Sequence, residues 1–244
     1  MFVCFSIFQV VTKTMKNGKF GTQIKNNDLV QKRRLQIAEG ASKLFIKKGY
    51  FKTNMRDISK ATGITIGSLY DYITKKEDIL CLVFDVFHSL CTRNIEESKV
   101  LGIEDPLEQL TCAIEKMIEV GDTHRDMVVL MYRESKSLPR DFLKAILERD
   151  NGLVKHFEDI LLKGVENGMF RVKDPFLTAN LIVYLLAFEP LRGWNLKQRY
   201  QVREIHTYLT DFILDRVLRD PWREKYGFKT NQFLQEPRVW RRHP

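Results

Sequence analysis

Glycine and proline are scarce in this chain, which has 13 and 7 of them among 244 residues. Because sheet-rich folds need many turns, this scarcity favours long helices. Cysteine is also rare, and no two of the four cysteines have the short spacing of zinc-knuckle ligands. Cys81 and Cys91 lie in an apolar helical stretch and are expected to be reduced core residues. We therefore expect no metal site and no resident cofactor.

Catalytic signatures are missing as well. The five histidines are scattered without an HExxH pattern, and the chain contains neither a glycine-rich phosphate loop nor a GxSxG elbow. With no catalytic constellation, the sequence predicts that the protein is not an enzyme and favours a binding function.

The apolar run at the start of the chain is short. Residues 1–11, MFVCFSIFQVV, follow no basic residue, precede no small-residue cleavage site and are too few to span a bilayer. We therefore expect no membrane partner and interpret residues 1–30 as a flexible extension. The alternatives are an upstream start codon, with Met15 as the true start, and a signal peptide.

Positive charge is concentrated in the first third of the chain. Residues 1–76 contain 15 lysines and arginines against 4 aspartates and glutamates, a balance of +11, whereas the other 168 residues carry a balance of −2. A basic end joined to a nearly neutral body is the electrostatic pattern of a protein that binds a polyanion.

Within this basic end, residues 54–73, NMRDISKATGITIGSLYDYI, are typical of two short helices joined by a tight turn. Asn54 is expected to cap the first helix, Gly63 to form the turn, and Thr65 to cap a second helix over residues 66–72. Any helical hairpin with a glycine turn shares this pattern, but a helix-turn-helix makes double-stranded DNA the first partner to consider. The residues expected to face outward are Ile66, Gly67, Ser68, Tyr70 and Tyr72.

The flanking residues extend the motif. Upstream, a helix with an apolar stripe ends at Gly49, after Lys47 and Lys48 in its last turn. With these flanks, residues 31–80 resemble the DNA-binding domain of TetR-type (tetracycline-repressor-like) transcriptional regulators. The matching residues, in the family's order and spacing, are Ile37, Ala41, Phe45, Gly49, Tyr50, Ile58, Gly63, Gly67, Leu69, Tyr70, Tyr72, Lys76 and Leu80.

The resemblance implies a role for each matching position at the DNA. The positions that read bases or line the groove in the family are occupied here by Arg56, Thr65, Ile66, Gly67 and Ser68. The positions that contact phosphates are occupied by Tyr70, Tyr72 and Lys76. Ile66 departs from a polar reader, and it either touches a thymine methyl group or reads nothing.

The rest of the chain is typical of consecutive helices. Two of them are marked by an aspartate cap before a proline, at Asp105-Pro106 and Asp174-Pro175. We predict an all-α protein in which a three-helix helix-turn-helix domain over residues 31–91 precedes a larger ligand-binding and dimerisation domain over residues 92–220. We assign no role to the C-terminal tail, residues 221–244.

Residues 177–188 are apolar on nearly every side of the predicted helix. Such a helix must be buried all round, and in a small domain a subunit interface is one way to cover it. The paired last helices of the TetR family form such a dimer. We therefore predict that Leu181, Val183 and Leu185 lie in a homodimer interface, with burial inside the monomer as the alternative.

Residues 127–138, MVVLMYRESKSL, combine methionines with a following charged pair. Methionine-rich helices line adaptable apolar pockets, so Met127 and Met131 are candidate ligand contacts and Arg133 a candidate for an anionic head group. The alternative is a plain core helix with a solvated end. Together with residues 157–171, this stretch resembles TetR-type regulators of fatty-acid metabolism, whose ligands are acyl-CoAs.

These observations predict a ligand-responsive regulator, most simply a repressor that binds a palindromic operator as a homodimer in the bacterial cytoplasm, the location that the resemblance implies. Its small hydrophobic effector, with acyl-CoA as a candidate, would release the DNA. Two rival classes remain, an enzyme with a helical body and a DNA-binding adaptor of the same fold without a small-molecule ligand.

Overall fold

Helices make up nearly all the regular structure of residues 27–138 and 140–227, which are the residues that this computed structural model describes. This part of the chain forms no strand, and Phe170 and Leu218 make a single antiparallel bridge. In chain order the helices are α1 (Asn27–Lys48), α2 (Met55–Thr62), α3 (Ile66–Tyr70), α4 (Lys76–Glu97), α5 (Pro106–Thr123), α6 (Arg125–Glu134), α7 (Arg140–Glu166), α8 (Pro175–Leu186), α9 (Phe188–Leu196), α10 (Val202–Val217) and α11 (Asp220–Lys225).

The helix-turn-helix is fixed by local signals that the sequence predicts. Asn54 and Asp57 form a reciprocal capping box at the start of α2, with N–O distances of 3.0 and 3.1 Å. Gly63 follows α2 with φ of 69°, a left-handed conformation that strongly favours glycine. The Thr65 hydroxyl then accepts a hydrogen bond from the Ser68 amide and caps α3. The predicted caps and turn are therefore confirmed.

The boundaries differ from the predictions at both ends of this unit. α1 begins at Asn27, so the predicted extension over residues 1–30 overlaps its first turn. α3 ends at Tyr70, two residues earlier than predicted. Residues 1–26 lie outside the described part of the chain, as do residues 228–244, so the predictions for Met15 and for most of the tail fall there.

Aspartate caps start two helices of the body, as predicted. Asp105 accepts hydrogen bonds from the Leu107 and Glu108 amides, and Asp174 accepts one from the Leu177 amide. Two helices, α9 and α11, were not predicted from the sequence. No helix among the described residues is long and apolar enough to cross a membrane.

Buried side chains fall into two hydrophobic clusters. The body cluster is built from α4, α5, α7, α8 and α10, and its largest buried side chains include Phe157 and Phe170. The second, which we call the junction cluster, joins Ile37, Phe45, Ile58 and Leu69 of the DNA-binding helices to α4.

The junction cluster does not stop at the predicted domain boundary near residue 91. It also contains Met127 and Leu130 of α6, together with Leu138 and Ile146. α1 packs along α6 as extensively as it packs on α2. The DNA-binding helices and part of the body therefore share one packed interior.

Candidate DNA-binding surface

α3 presents almost all of its residues to solvent. Ile66, Gly67, Ser68 and Tyr70 are exposed, and Leu69 alone is buried. Thr65 at the start of the helix and Arg56 on α2 are also exposed. Six of the eight predicted DNA contacts are therefore exposed on the helix-turn-helix, and a seventh, Lys76, is half-buried at the start of α4.

Tyr72 does not face outward, and this prediction was wrong. Its side chain is only 6% exposed and belongs to the junction cluster. The reason is that α3 ends at Tyr70, after which the Tyr72 and Ile73 amides both bond to the Leu69 carbonyl. As a result of this turn, the Tyr72 side chain points into the junction cluster, as does that of Ile73. The role of Tyr72 at a phosphate stays a prediction that its burial disfavours.

Lys76 already has partners within the protein. Its ammonium nitrogen donates to the carbonyl oxygens of Tyr50 at 3.0 Å and Phe51 at 3.4 Å, and it lies 4.5 Å from the centroid of the Tyr50 ring. An ammonium group has three donors, so at most one remains for a phosphate. The predicted phosphate contact of Lys76 stays a prediction.

Gly67 has no packing role in the protein itself. A β-carbon at this position would meet no atom within 4 Å, and the backbone is ordinary helix. Glycine in an exposed helix is less stable than alanine, so its presence needs an outside cause, and close approach of DNA backbone or bases supplies one.

Gly67→Ala is therefore expected to separate stability from DNA binding. The free energy of unfolding should rise by up to about 1 kcal/mol, because alanine favours the helix. DNA affinity should fall, because the added methyl group occupies the space needed at the groove. Thermal denaturation and fluorescence anisotropy with a DNA duplex measure the two effects, and unchanged or tighter DNA binding would contradict this reading of Gly67.

The three predicted ligand contacts differ in their exposure to solvent. Met127 is 1% exposed inside the junction cluster, and Met131 is half-buried against the same cluster. Arg133 is exposed in the last turn of α6. The two methionines thus face the DNA-binding helices, and their contact with a ligand stays a prediction.

An ion-pair cluster lies at the other end of α6. Arg125 donates to both carboxylate oxygens of Glu189, which is 1% exposed, and to the carbonyl oxygens of Glu189 and Pro190. These residues are 64 positions apart in sequence, so no local signal predicts their contact.

The same cluster holds the one group of potential metal ligands found among the described residues. Asp122, Glu189 and His206 bring their ligand atoms within 4.8 Å of one another. Arg125 already bonds the Glu189 carboxylate, and the Lys197 ammonium lies 3.6 Å from it. Two neighbouring cations oppose a divalent ion, so the arrangement fits an ion-pair cluster better than a metal site.

An open groove of about 660 Å³ lies between α5, α10 and α11. Its lining includes Asp105, Glu108 and Glu115 beside Leu107 and Leu214. Three carboxylates repel an anionic head group, so this groove does not suit the phosphates of coenzyme A.

Large apolar side chains are exposed along the last helices of the body. On α8 and the start of α9 they are Phe176, Leu177, Leu181, Tyr184 and Phe188, and on α10 they are Tyr208 and Phe212. Leu177, Leu181 and Tyr184 follow helical spacing and share one face of α8, and Phe188 follows at the start of α9. Exposed apolar surface of this extent marks an interaction site.

Only one of the three predicted interface residues lies on this face. Leu181 is 56% exposed, whereas Val183 and Leu185 are half-buried and pack against the body cluster. The alternative, burial inside the monomer, does not hold for Leu181, because its face of the helix remains exposed in the single chain. For Val183 and Leu185 the structure favours the alternative, burial inside the monomer.

Family models match both parts of the chain. Residues 37–81 match the model described as "Bacterial regulatory proteins, tetR family", and residues 104–189 match "Tetracyclin repressor-like, C-terminal domain". Together they cover more than half of the sequence, and the first contains α2 and α3.

Individual proteins agree with the models. The chain is 31% identical over 180 residues to the HTH-type transcriptional regulator HbdR of Aromatoleum sp. (strain CIB), covering 72% of this chain and 76% of HbdR. It is 30% identical over 156 residues to the HTH-type transcriptional repressor KstR2 of Mycobacterium tuberculosis, covering 63% of this chain and 75% of KstR2. The crystal structure of AibR in complex with isovaleryl coenzyme A and operator DNA superposes with a TM-score of 0.64 at 22% identity, covering 75% of this chain and 99% of AibR.

The relatives are named as transcriptional regulators, which confirms the prediction that this protein is not an enzyme. The all-α architecture, with its helix-turn-helix followed by a helical body, is likewise that of the matching structures. The two family models, the identity to HbdR and the exposed α3 of the helix-turn-helix together establish that the chain belongs to the TetR family of transcriptional regulators.

Proposed function

We propose that this regulator is a repressor that binds a palindromic operator as a homodimer and is released by a small hydrophobic ligand, with acyl-CoA as the first candidate. The observation that carries the proposal is the junction cluster, in which Met127 and Leu130 of α6 pack with Ile37 and Leu69 of the DNA-binding helices. Because packed interiors transmit displacement, a ligand that moves α6 also moves α3.

The exposed apolar face of α8 and α9, together with Tyr208 and Phe212 of α10, is the proposed dimer interface. A second copy of the chain covers it best, because a two-fold axis brings the same apolar face from each subunit together. The paired last helices of the family provide the precedent for this arrangement.

Two-fold symmetry determines the form of the operator. Each subunit offers one α3, so the two half-sites are related by a dyad and lie about one helical turn apart, roughly 34–36 Å, or a multiple of it. Arg56 and Ser68 are the proposed readers of base edges, because both are exposed and carry hydrogen-bonding groups.

Release requires that the ligand prefer the conformation in which the two α3 helices no longer match successive grooves. Its effect is limited to its differential affinity for the two conformations, typically about 1–3 kcal/mol. α6 is the proposed connection, since its interior face belongs to the junction cluster while Arg125 ties its first turn to α9.

An acyl-CoA is supported by the chemistry of the body and by the relatives. Among the similar structures, AibR is named in complex with isovaleryl coenzyme A. Arg133 is exposed at the end of α6 and has no ion pair among the described residues, so it suits a phosphate of coenzyme A. The apolar body provides the surroundings that an acyl chain needs.

The test is calorimetric titration with acyl-CoAs of graded chain length, with and without an operator duplex obtained by selection from randomised DNA. We expect at least one acyl-CoA to bind and saturating operator to weaken it by about 5- to 150-fold, the same factor by which it weakens the operator. Arg133→Ala should weaken acyl-CoA binding, whereas Lys155→Ala, at an exposed lysine of α7, should not.

Two results would contradict the ligand assignment. Tight binding that is indifferent to the operator would indicate a bound lipid without regulation. If no acyl-CoA bound at any chain length, acyl-CoA would be excluded as the effector and an adaptor of the same fold without a small-molecule ligand would be favoured.

A further inference from the structure

The turn between α1 and α2 is well ordered by its own hydrogen bonds. The Thr53 amide donates to the Tyr50 carbonyl at 3.3 Å, and the Thr53 hydroxyl donates to the Gly49 carbonyl at 2.9 Å. Gly49 itself has φ of 90°, which lets the chain leave α1 abruptly. Residues 50–53 therefore form a tight turn with Phe51 and Lys52 at its tip.

Side chains from outside the turn hold it in place. Lys76, the first residue of α4, donates to the carbonyl oxygens of Tyr50 and Phe51. Lys48 at the end of α1 pairs with Asp57 in the first turn of α2, and this hydrogen bond is the main reason that the pKa of Asp57 is lowered. The Tyr50 ring packs edge-on against Phe45 of α1, with centroids 5.1 Å apart.

The tip of this fixed turn is nevertheless exposed. The Phe51 side chain is 81% exposed, the highest value among the large exposed apolar residues, and Lys52 is exposed beside it. The Phe51 ring meets the Tyr50 ring edge-on, with centroids 5.2 Å apart, but most of its surface covers no core and stays in water. The rigidity and the exposure together indicate that something outside the protein covers the tip.

The tip is continuous with the DNA-binding surface. It immediately precedes α2, whose first turn carries the exposed Arg56, and it lies within one lysine side chain of the start of α4. Exposed lysines precede it at Lys47 and Lys48, of which Lys48 is paired with Asp57, and Lys75 is exposed next to Lys76 in sequence. A surface with this charge fits a phosphate backbone.

We propose that the 50–53 turn is a further DNA contact, in which Lys52 pairs with a phosphate and the Phe51 ring packs on the neighbouring deoxyribose. Lys76 is then a positioning residue that holds the turn, in addition to any phosphate contact of its own. The proposal rests on the proposed function only in taking DNA as the partner, because a backbone contact needs no operator sequence.

The first measurement is the salt dependence of binding to a mixed-sequence duplex, by fluorescence anisotropy. Removing one phosphate contact by Lys52→Ala should lower the slope of log K against log salt by about 0.9 and weaken binding about eightfold at 0.1 M salt. Lys155→Ala, which removes the same charge from α7 of the body, is the matched control and should change neither quantity.

The second measurement uses Phe51→Ala, with Leu101→Ala as the control because Leu101 is 63% exposed on the body. Phe51→Ala should weaken binding about fivefold with an unchanged salt slope, as expected when about 40 Å² of apolar surface is covered on DNA. Circular dichroism should show both variants folded, since neither side chain is buried.

The third measurement is protection of lysines from acylation, read by mass spectrometry on the unmodified chain. DNA should protect Lys52 and leave Lys155 reactive.

The proposal would be overturned if both turn variants kept the wild-type DNA affinity and salt slope and DNA did not protect Lys52. The assignment of the protein as a transcriptional regulator would be unaffected. A Phe51→Ala variant that changed self-association but not DNA affinity would instead assign the tip to a protein contact. A wild-type protein that bound no duplex would overturn both proposals.

Discussion

Leu181→Arg is expected to convert the regulator from a dimer into a folded monomer. Leu181 is 56% exposed in the single chain, so the arginine stays solvated when the protein is alone. In the proposed dimer the same arginine would be buried without a partner, which an apolar interface does not tolerate. Analytical ultracentrifugation at micromolar concentration should show this loss of self-association.

The loss of the dimer should also remove most operator affinity. A dimer engages two half-sites at once, and this linkage typically contributes about 10²- to 10⁴-fold over one half-site. Leu181→Arg should therefore weaken operator binding at least about a hundredfold, and a single half-site should then bind as well as the full operator. Anisotropy with full and half operators measures both quantities.

Two matched variants distinguish an interface from a structural effect. Leu101→Arg places the same charge at an exposed leucine outside the proposed interface and should stay dimeric. Leu185→Arg should instead lower thermal stability, since Leu185 packs against the body cluster. A wild-type protein that sedimented as a monomer at micromolar concentration would remove the basis for the dimer and for the palindromic operator.

Local signals made much of this fold predictable from the sequence. Asn54, Thr65, Asp105 and Asp174 act as caps in the structure because a capping hydrogen bond depends only on residues two or three positions away. Gly63 follows the same logic, since its left-handed φ is a property of the turn alone. Except for Tyr72, the helix-turn-helix and its exposed face could therefore be predicted before any tertiary contact was known.

Features that depend on contacts between residues far apart in the sequence could not be predicted from local signals. The sequence pattern left Met127 either as a pocket contact or as part of a plain core helix, and neither alternative said that it meets the DNA-binding helices. Helix α9 was missed because it contains Pro190 and Gly193, which usually interrupt helices. Pro190 stands in the first turn, where its missing N–H costs nothing, and Gly193 lies against Arg125.

The second large effect is expected at the ion pair between Arg125 and Glu189. Arg125→Ala would leave the Glu189 carboxylate, which is 1% exposed, without its main partner. Breaking a buried pair from one side typically costs about 3–5 kcal/mol, and Lys197 at 3.6 Å offsets part of this cost. We expect a loss of about 3 kcal/mol in the free energy of unfolding.

The packing around the Arg125 guanidinium leaves room for this group, which supports the expected loss of stability in Arg125→Ala. A β-carbon on Gly193 would collide with the Arg125 guanidinium, so α9 leaves room for that group. The guanidinium also donates to the Glu189 and Pro190 carbonyls, at 2.7 and 3.2 Å. Arg125→Ala therefore also removes two side-chain hydrogen bonds to carbonyls at the start of α9. A lysine, with its single nitrogen, should restore stability only in part.

The functional consequence follows from the position of Arg125 at the start of α6. Its ion pair ties α6 to α9, while Met127 and Leu130 further along α6 lie in the junction cluster. Loosening the first turn of α6 should weaken the coupling between an effector and DNA more than it weakens DNA binding alone. This coupling is measured by the factor by which a bound effector changes operator affinity.

Thermal and chemical denaturation test the stability effect directly. For a chain of this size, about 3 kcal/mol corresponds to a fall in Tm of about 6–12 °C. Lys116→Ala is the matched control, because its pair with Glu119 joins two largely exposed side chains and should contribute at most about 1 kcal/mol. If Arg125→Ala melted like Lys116→Ala and kept full effector coupling, the Arg125–Glu189 pair would have no role in holding α6 to α9, and the coupling would have to run through the junction cluster alone.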